Sequence, residues 1–167
     1  MIDENVLYLG KVRVVGKTRN GVVFDLRKRN NGTQKLFRGL CWSLLGFGLN
    51  ELKPKYITLA KGIIDSDGNF TNGESLLNNF SNVFGTYDSQ NNRTKFVGTI
   101  SAYQVKDRTP QEETIYICIL TGEHPNEFTN DDVLAYIEAP LGVNELEIGT
   151  VLSIEWAMSF TNKEQQS

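Results

Sequence analysis

The sequence has few of the residues on which catalytic and metal sites depend. Its 167 residues include one histidine, two cysteines and four prolines. The single histidine, His124 in the segment TGEHPNEF, excludes metal sites built on a histidine pair and leaves any acyl-transfer triad dependent on it. No G-x-S-x-G sequence occurs, and the cysteines are not spaced for zinc. We therefore predict no catalytic residue, no cofactor and no enzymatic activity.

Long apolar runs and a disulfide framework are also missing. No stretch approaches the roughly 18 apolar residues of a membrane span, and MIDENVLYLG lacks the basic start of a signal peptide. Cys41 and Cys118 both lie among apolar neighbours, which favours two buried thiols and leaves a disulfide between them as the alternative. With 40% apolar and 22% charged residues, the chain predicts one globular domain over residues 1–160 and a frayed tail over 161–167.

The glycines and acidic residues do not form a recognised ligand loop. The glycines at 46, 48, 62, 68 and 73 lack the strand–loop–helix spacing of a phosphate-binding site. The stretch from Asp65 to Asn69, DSDGN, begins like a calcium-binding EF-hand loop. Such a loop needs Gly at position 6 and Glu at position 12, where this chain has Phe70 and Leu76. An ordinary turn is therefore predicted, with weak calcium binding as the alternative and no metal site.

Most of the chain has the apolar patterns of short β-strands. VLYLGKVRVVGKTRNGVVFDLRKR predicts a hairpin around Asn20 and Gly21. Tyr56–Ile64 follows as a strand, and DSDGNFTNGES is predicted as a loop. TKFVGTISAYQV, TIYICILT, VLAYIEA and TVLSIEWAMSF predict four more strands, and the second of these is apolar on both faces, as in a central strand. This makes about seven strands.

One segment has a clear helical period. Leu36, Leu40 and Leu44 recur every four residues in NNGTQKLFRGLCWSLLGFG, and Phe37, Cys41 and Leu45 do the same one position along. Thr33 is the predicted N-cap, and Gly46 and Gly48 are predicted to end the helix. LLNNFSNVF keeps helical spacing and predicts a second short helix.

These elements predict a mainly β fold. Too few helices alternate with strands for a parallel sheet, so we predict an antiparallel β-sandwich-like domain with the N-terminal-half helix packed on the sheet. On this interpretation the apolar stripe of the helix belongs to the core.

Charge is distributed unevenly along the chain. Residues 1–40 carry a net charge of +6 and residues 41–167 a net charge of −9. A basic face can bind nucleic acid or an acidic protein, whereas alternation of cations with valines also fits a solvated hairpin. Nucleic acid is not expected, because the basic residues and most aromatics lie in different halves. Trp42, Tyr87 and Tyr103 leave carbohydrate stacking as an alternative.

Several segments, read in order, resemble structural proteins of tailed-bacteriophage tail fibres, tail collars and baseplates. In that group an early helix precedes a strand of the form p-x-Y-I-x-L-G-x-G, and here KPKYITLAKG occupies residues 53–62. The later counterparts are residues 94–105, EETIY at 112–116, VLAY at 133–136, and LSIEW at 152–156. The chain departs from the group at Ala60, where glycine is usual, and it lacks both the Gly-Leu-Phe after the acidic pair and the fibrous extension.

The resemblance implies a virion structural protein assembled in the host cytoplasm, of the size of an adaptor or ring component of a tail, baseplate, collar or fibre attachment. Its implied partners are copies of itself and other virion proteins, and a carbohydrate-binding module that recognises the host surface is the alternative. Basic and acidic surfaces would suit head-to-tail contacts. The residues expected to contact partners are Lys11, Arg13, Arg27, Lys28, Arg29, Lys35, Arg38 and Trp42, with the helix residues beside the basic hairpin.

Overall fold

The structure is a computed structural model that describes residues 6–45, 53–79, 81–106, 114–121, 127–128, 131–139, 142 and 146–162, with the backbone alone at 6–9, 40–44, 127 and 160–162. Within these ranges the chain is mainly β, as predicted, with one α-helix and one 3₁₀-helix. The strands are β1 (Val6–Thr18), β2 (Gly21–Arg29), β3 (Asn31–Gly32), β4 (Tyr56–Ile64), β5 (Phe70–Ser75), β6 (Ser81–Asn82), β7 (Phe84–Asp88), β8 (Arg93–Ser101), β9 (Tyr116–Leu120), β10 (Glu127–Phe128), β11 (Val133–Glu138) and β12 (Val151–Asn162); the helices are α1 (Gln34–Leu44) and the 3₁₀-helix Ala102–Gln104.

Five strands form one antiparallel sheet, sheet A, in the order β2-β1-β12-β8-β7. The long strands β1 and β12 pair from Val6 opposite Asn162 onward, so the two ends of the described chain lie side by side. The predicted hairpin of β1 and β2 is confirmed, with its turn at residues 19–20. Gly21 opens β2 with φ +118°, a conformation that glycine adopts without a side-chain clash.

The remaining strands form sheet B, in the order β10-β5-β4-β9-β11-β3, with β6 also paired to β4. β9 lies between β4 and β11, which confirms its prediction as a central strand. Ile117 and Ile119 face one side of this sheet and Cys118 and Leu120 the other, and all four are at most 1% exposed. Both faces of sheet B are therefore covered at β9.

The main core lies between the two sheets. Its sheet A side follows the predicted alternation of β12, in which Leu152, Ile154, Trp156 and Met158 point inward and Glu155 points outward. The buried residues that complete this core are Val12, Val14, Leu36, Ile57, Leu59, Leu76, Leu77, Ile100, Ala102, Val105, Ile117, Ile119, Leu134, Ala135, Ile137 and Leu146. Two antiparallel sheets packed across one apolar layer make the β-sandwich-like arrangement that the sequence predicted.

A second apolar cluster covers the outer face of sheet B. Phe70 is its centre, fully buried, with ring centroids 5.2 Å from Tyr116, 5.7 Å from Phe128 and 5.8 Å from Tyr136. Burial raises the pKa of the Tyr136 hydroxyl, and this hydroxyl donates a hydrogen bond of 2.7 Å to the carbonyl oxygen of Gly68. The cluster therefore joins β5, β9, β10 and β11 and fixes the loop that precedes β5.

The helix α1 packs at the β11 and β3 side of sheet B. Leu36 enters the main core, as predicted, but Phe37 is 43% exposed and Leu45 is 72% exposed, so the prediction that the whole apolar stripe is core is wrong for these two residues. Only part of the stripe meets a sheet, because α1 follows β3 at the rim of the sandwich. The predicted end at Gly46 and Gly48 lies outside the described residues.

The first backbone N–H of α1 has a different hydrogen-bond acceptor from the predicted one. Thr33 occupies the residue before the helix, but its hydroxyl donates to the carbonyl oxygens of Val133 and Leu134 in β11. Asn69 supplies the side-chain acceptor instead, since its Oδ1 accepts a hydrogen bond of 3.2 Å from the Gln34 N–H. A side chain from a distant loop thus caps the helix.

Three local predictions are corrected by pairing between distant segments. The loop predicted over residues 65–75 is a turn only at 65–69, and Phe70–Ser75 is strand β5, paired with β4. The short helix predicted in LLNNFSNVF is wrong over the described residues 76–79 and 81–84, where Leu77 bridges to Val105 and β6 pairs with β4. The strand predicted to continue to residue 105 ends at Ser101, since Ser101 and Gln104 form a capping box around the 3₁₀-helix.

The first two residues of the predicted tail are in a strand. Residues 161 and 162 belong to β12, where they lie opposite Leu7 and Val6. The rest of the predicted tail, 163–167, lies outside the described residues.

Replacement of Asp65 by asparagine is expected to reduce the loss of stability at acid pH. The backbone N–H groups of Asn69 and Asp67 donate to Asp65 Oδ1 at 2.8 and 3.0 Å, and these bonds lower the pKa of Asp65 below its ordinary value of 3.8. A folded-state pKa below the unfolded one gives stability that is present above about pH 4 and is lost as the pH falls through the lower folded value. Urea unfolding between about pH 6 and pH 2.5 measures this dependence.

The matched control is Asp67→Asn, because the Asp67 carboxylate makes none of these bonds. The wild type and the control are expected to lose stability on acidification along similar curves, and Asp65→Asn along a shallower one. Equal curves for all three proteins would contradict the assignment.

Candidate functional site

The outer face of sheet A carries most of the predicted partner-contact residues. In β1, Val12 and Val14 are 1% exposed and point into the core, so Lys11 and Arg13 point outward. The same alternation in β2 exposes Arg27 and Arg29. The hairpin thus presents Lys11, Arg13, Arg27 and Arg29 on one surface.

The register of the hairpin places like charges opposite each other. Lys11 lies opposite Arg29, and Arg13 lies opposite Arg27. Directly opposed like charges destabilise an antiparallel strand pair. The register of the hairpin therefore carries a local electrostatic cost.

A groove with a volume of about 470 Å³ runs over this face. We call it the basic groove; its lining residues are Lys11, Val12, Arg13, Arg27, Lys28, Arg29, Arg93, Glu155 and Ala157. The structure therefore brings together five of the predicted contact residues and adds Arg93 from β8 with Glu155 and Ala157 from β12. The alternation of β12 already pointed Glu155 away from the core, but only the strand order places it beside β1.

Some charges of the groove are neutralised within the sheet. The Arg13 Nε donates to Asp25 Oδ1 at 2.9 Å, and the hydrogen bond from Arg13 lowers the pKa of the Asp25 carboxyl. Arg93 Nε donates to Asp88 Oδ2 at 3.0 Å. These two arginines are thereby oriented by carboxylates on neighbouring strands.

Other cations of the groove have no such partner. Lys11, Arg27 and Arg29 form no ion pair with any carboxylate in the part of the chain that the structure describes. Lys28 reaches the other sheet, where its Nζ lies 3.5 Å from the carbonyl oxygen of Glu138. Three exposed cations of the groove are therefore uncompensated by an ion pair within the described ranges, and the Asp25 carboxylate attracts Arg27 only from beyond ion-pair distance.

The net charge of this region is opposite to that of the whole chain. Six lysines and arginines line the groove, and the nearby carboxylates are Glu155 in its lining and the arginine partners Asp25 and Asp88. With Lys95, which pairs with both Asp88 and Glu155, the region has seven cations and three carboxylates and a net charge of +4, whereas the chain carries −3. Such a surface attracts anionic groups over distances of about a Debye length, roughly 8–10 Å at moderate salt.

The helix residues of the prediction do not join the basic groove. Lys35 and Arg38 lie on α1 and are not among the lining residues. Arg38 Nη2 instead lies 2.8 Å from Asp131 Oδ1, in the segment before β11. Lys35 and Arg38 therefore lie outside the groove lining, on a helix that packs against β11 and β3. The Trp42 side chain lies outside the described part of the structure.

The two tyrosines considered for carbohydrate stacking are both exposed but far apart. Tyr87 is 65% exposed and Tyr103 is 72% exposed. Tyr87 lies opposite Thr94 near the start of β8, whereas Tyr103 follows Ser101 at its end. At about 3.3 Å per strand residue, more than roughly 20 Å separates these positions, so the two rings do not form one stacking platform.

The other candidates of the sequence lie as follows. Among the described residues, no group of three or more His, Cys, Asp or Glu side chains is placed to hold a metal ion, and Asp65 is occupied by bonds within its own turn. Cys118 is a free, buried thiol whose pKa is raised by burial.

No helix in the described ranges has the length and apolar character needed to span a membrane. His124 lies outside those ranges.

Comparison of the chain with protein-family models, with curated proteins and with solved structures finds no match.

Proposed function

We propose that this protein is a non-enzymatic structural protein of a tailed-bacteriophage virion, an adaptor or ring component of the tail, baseplate, collar or fibre attachment. It acts by protein–protein assembly, with copies of itself and with other virion proteins as partners. The observation that carries the proposal is the basic groove, an exposed sheet face whose cations have too few countercharges of their own. A neighbouring subunit with acidic groups would supply them.

The segments that resemble phage structural proteins support this proposal by their place in the fold. Within the described ranges they fall on β4, β8, β11 and β12, and the segment at 112–116 reaches the first residue of β9 at Tyr116. The resemblance therefore concerns the framework of the fold, whereas the basic groove on β1 and β2 is a surface that this framework presents.

Immunogold electron microscopy of density-purified particles from the source of the protein tests the proposal. We expect label at one fixed place on each particle. The matched control is a preparation treated with antibody that has been absorbed with the purified protein, and it should show no label.

Particles without label, with the protein left in the soluble lysate, would contradict the proposal. Glycan-array binding lost on Tyr103→Ala would then favour the carbohydrate-binding alternative, since Tyr103 is an exposed aromatic ring.

A further inference from the structure

The uncompensated cations of the basic groove form an ordered array. Arg27 and Arg29 are alternate residues of β2, about 6.5–7 Å apart along the strand, and Lys11 lies opposite Arg29 on β1. Neighbouring strands lie about 4.8 Å apart. The cations thus occupy the corners of a small grid, completed by Arg13, which Asp25 already engages.

This grid matches the repeat of an extended peptide. Side chains on one face of an extended chain recur every second residue, at the same spacing of about 6.5–7 Å. Carboxylates at alternate positions of such a peptide can each meet one cation of the groove, and charge-assisted hydrogen bonds from arginine to carboxylate are among the stronger polar contacts.

We propose that the basic groove binds an extended acidic segment of a neighbouring protein, with aspartate or glutamate at alternate positions. The inference specifies the partner chemistry of the proposed function and rests on it. Lys11, Arg27 and Arg29 bind the carboxylates, while Arg13 and Arg93 are held by Asp25 and Asp88 and shape the edges of the groove.

The groove fits a carboxylate peptide better than nucleic acid. None of the described lining residues is an aromatic platform for bases, and the Glu155 carboxylate in the lining, 3.7 Å from Lys95 Nζ, interrupts the run of cations that a continuous row of phosphates would need. A mixed peptide can place an uncharged or basic side chain next to Glu155.

The test is fluorescence anisotropy with the purified full chain and a labelled peptide that alternates glutamate with serine, at about 50 mM salt, where exposed charges are weakly screened. The groove variant is Lys11→Gln with Arg29→Gln. The matched control, Lys17→Gln with Arg19→Gln, removes the same charge from exposed positions near the hairpin turn, outside the groove lining. Far-UV circular dichroism verifies that both variants are folded.

We expect saturable binding by the wild type, weakened about tenfold in the groove variant and less than about twofold in the control. The glutamine–serine peptide should not bind. A labelled oligothymidylate of equal charge should bind more weakly than the glutamate peptide, and self-association lost in the groove variant would place the acidic segment on a second copy of this chain.

Equal weakening by both variants, tighter binding of the oligothymidylate, or no binding of the glutamate peptide would each overturn the inference. The result is separate from the test of the proposed function, because peptide binding by the isolated chain does not depend on particles. Unlabelled particles together with groove-specific peptide binding would reject the virion assignment alone, whereas labelled particles without peptide binding would reject only the acidic partner.

Discussion

Replacement of Trp156 by alanine is expected to lower the free energy of unfolding by about 3–5 kcal/mol. Trp156 is fully buried at the centre of β12, between β1 and β8, and its side chain fills the layer between the two sheets. Alanine removes this apolar surface and leaves a cavity that the surrounding strands fill only in part. A loss of this size is a large fraction of the stability of a typical domain.

Phenylalanine at the same position is the matched control. The indole N–H of Trp156 is a buried donor that has no hydrogen-bond acceptor among the described residues. An unsatisfied buried donor costs roughly 1–3 kcal/mol. Trp156→Phe removes this donor as well as some volume, and the two effects oppose each other. We expect a net change below about 1.5 kcal/mol.

Urea unfolding followed by far-UV circular dichroism measures both variants, because a tryptophan signal would change with the substitution itself. Comparable losses for alanine and phenylalanine would show that the indole N–H stabilises the fold through an acceptor. A loss below about 1 kcal/mol for alanine would contradict the central position of this ring.

The long strands were predictable from the sequence because alternation reports burial directly. In β12, the apolar residues Leu152, Ile154 and Trp156 occupy every second position, and each faces the core. In β9, apolar residues on both faces predicted a central strand, and the strand order confirms it. These segments specify their own conformation and their orientation in the sheet. A shift of one residue in β12, for example, would turn its apolar side chains from the core to solvent.

The short strands were not predictable, because their conformation depends on distant partners. β5 has the sequence FTNGES, whose polar and glycine residues resemble a loop. Its two ends are held by β4 and β10, and Phe70 anchors it in the aromatic cluster. The exposure of Phe37 has a similar cause, since helical periodicity shows an apolar stripe but not how much of it a sheet covers.

The sequence predicted only part of the basic groove, because local alternation shows which residues share a strand face but not which strands lie side by side. Alternation in β1 placed Lys11 and Arg13 on one face, because Val12 and Val14 had to be buried, and the pairing of the hairpin adds Arg27 and Arg29 opposite them. Arg93, by contrast, lies about 80 residues later in the chain. Arg93 lines the groove only because β8 pairs with β12, and no local sequence pattern predicts that pairing.

Replacement of Gly98 by alanine is expected to lower the free energy of unfolding by about 1–3 kcal/mol. Gly98 is a buried residue of β8, and a Cβ atom added there would lie 2.7 Å from Cγ2 of Ile57 in β4. Ile57 is 1% exposed and has no free space into which to turn. Glycine at this position therefore permits the close approach of sheet A and sheet B.

A double-mutant cycle with Ile57→Ala tests this explanation. Ile57→Ala alone removes the clashing methyl group and should cost about 2–5 kcal/mol through the cavity it creates. Adding Gly98→Ala to that variant should cost little, because the new methyl group enters the space that Ile57 has vacated. We therefore expect a coupling energy of at least about 1 kcal/mol, measured by urea unfolding of the four proteins.

The control for a glycine substitution in sheet A is Gly85→Ala on the edge strand β7. A Cβ there would meet the ring of Phe96 at 3.0 Å and the carbonyl oxygen of Lys95 at 4.0 Å, and Gly85 is exposed. The gain in backbone rigidity offsets that contact, so we expect a change within about 0.5–1 kcal/mol. Additive losses for Gly98→Ala and Ile57→Ala would show that the sheets do not meet at this pair.

The contact between Gly98 and Ile57 also bears on the basic groove. Gly98 lies opposite Ile154 on β12, and the next residue of β12, Glu155, lines the groove. The packing of Gly98 against Ile57 therefore helps to hold the strand that carries the carboxylate of the groove.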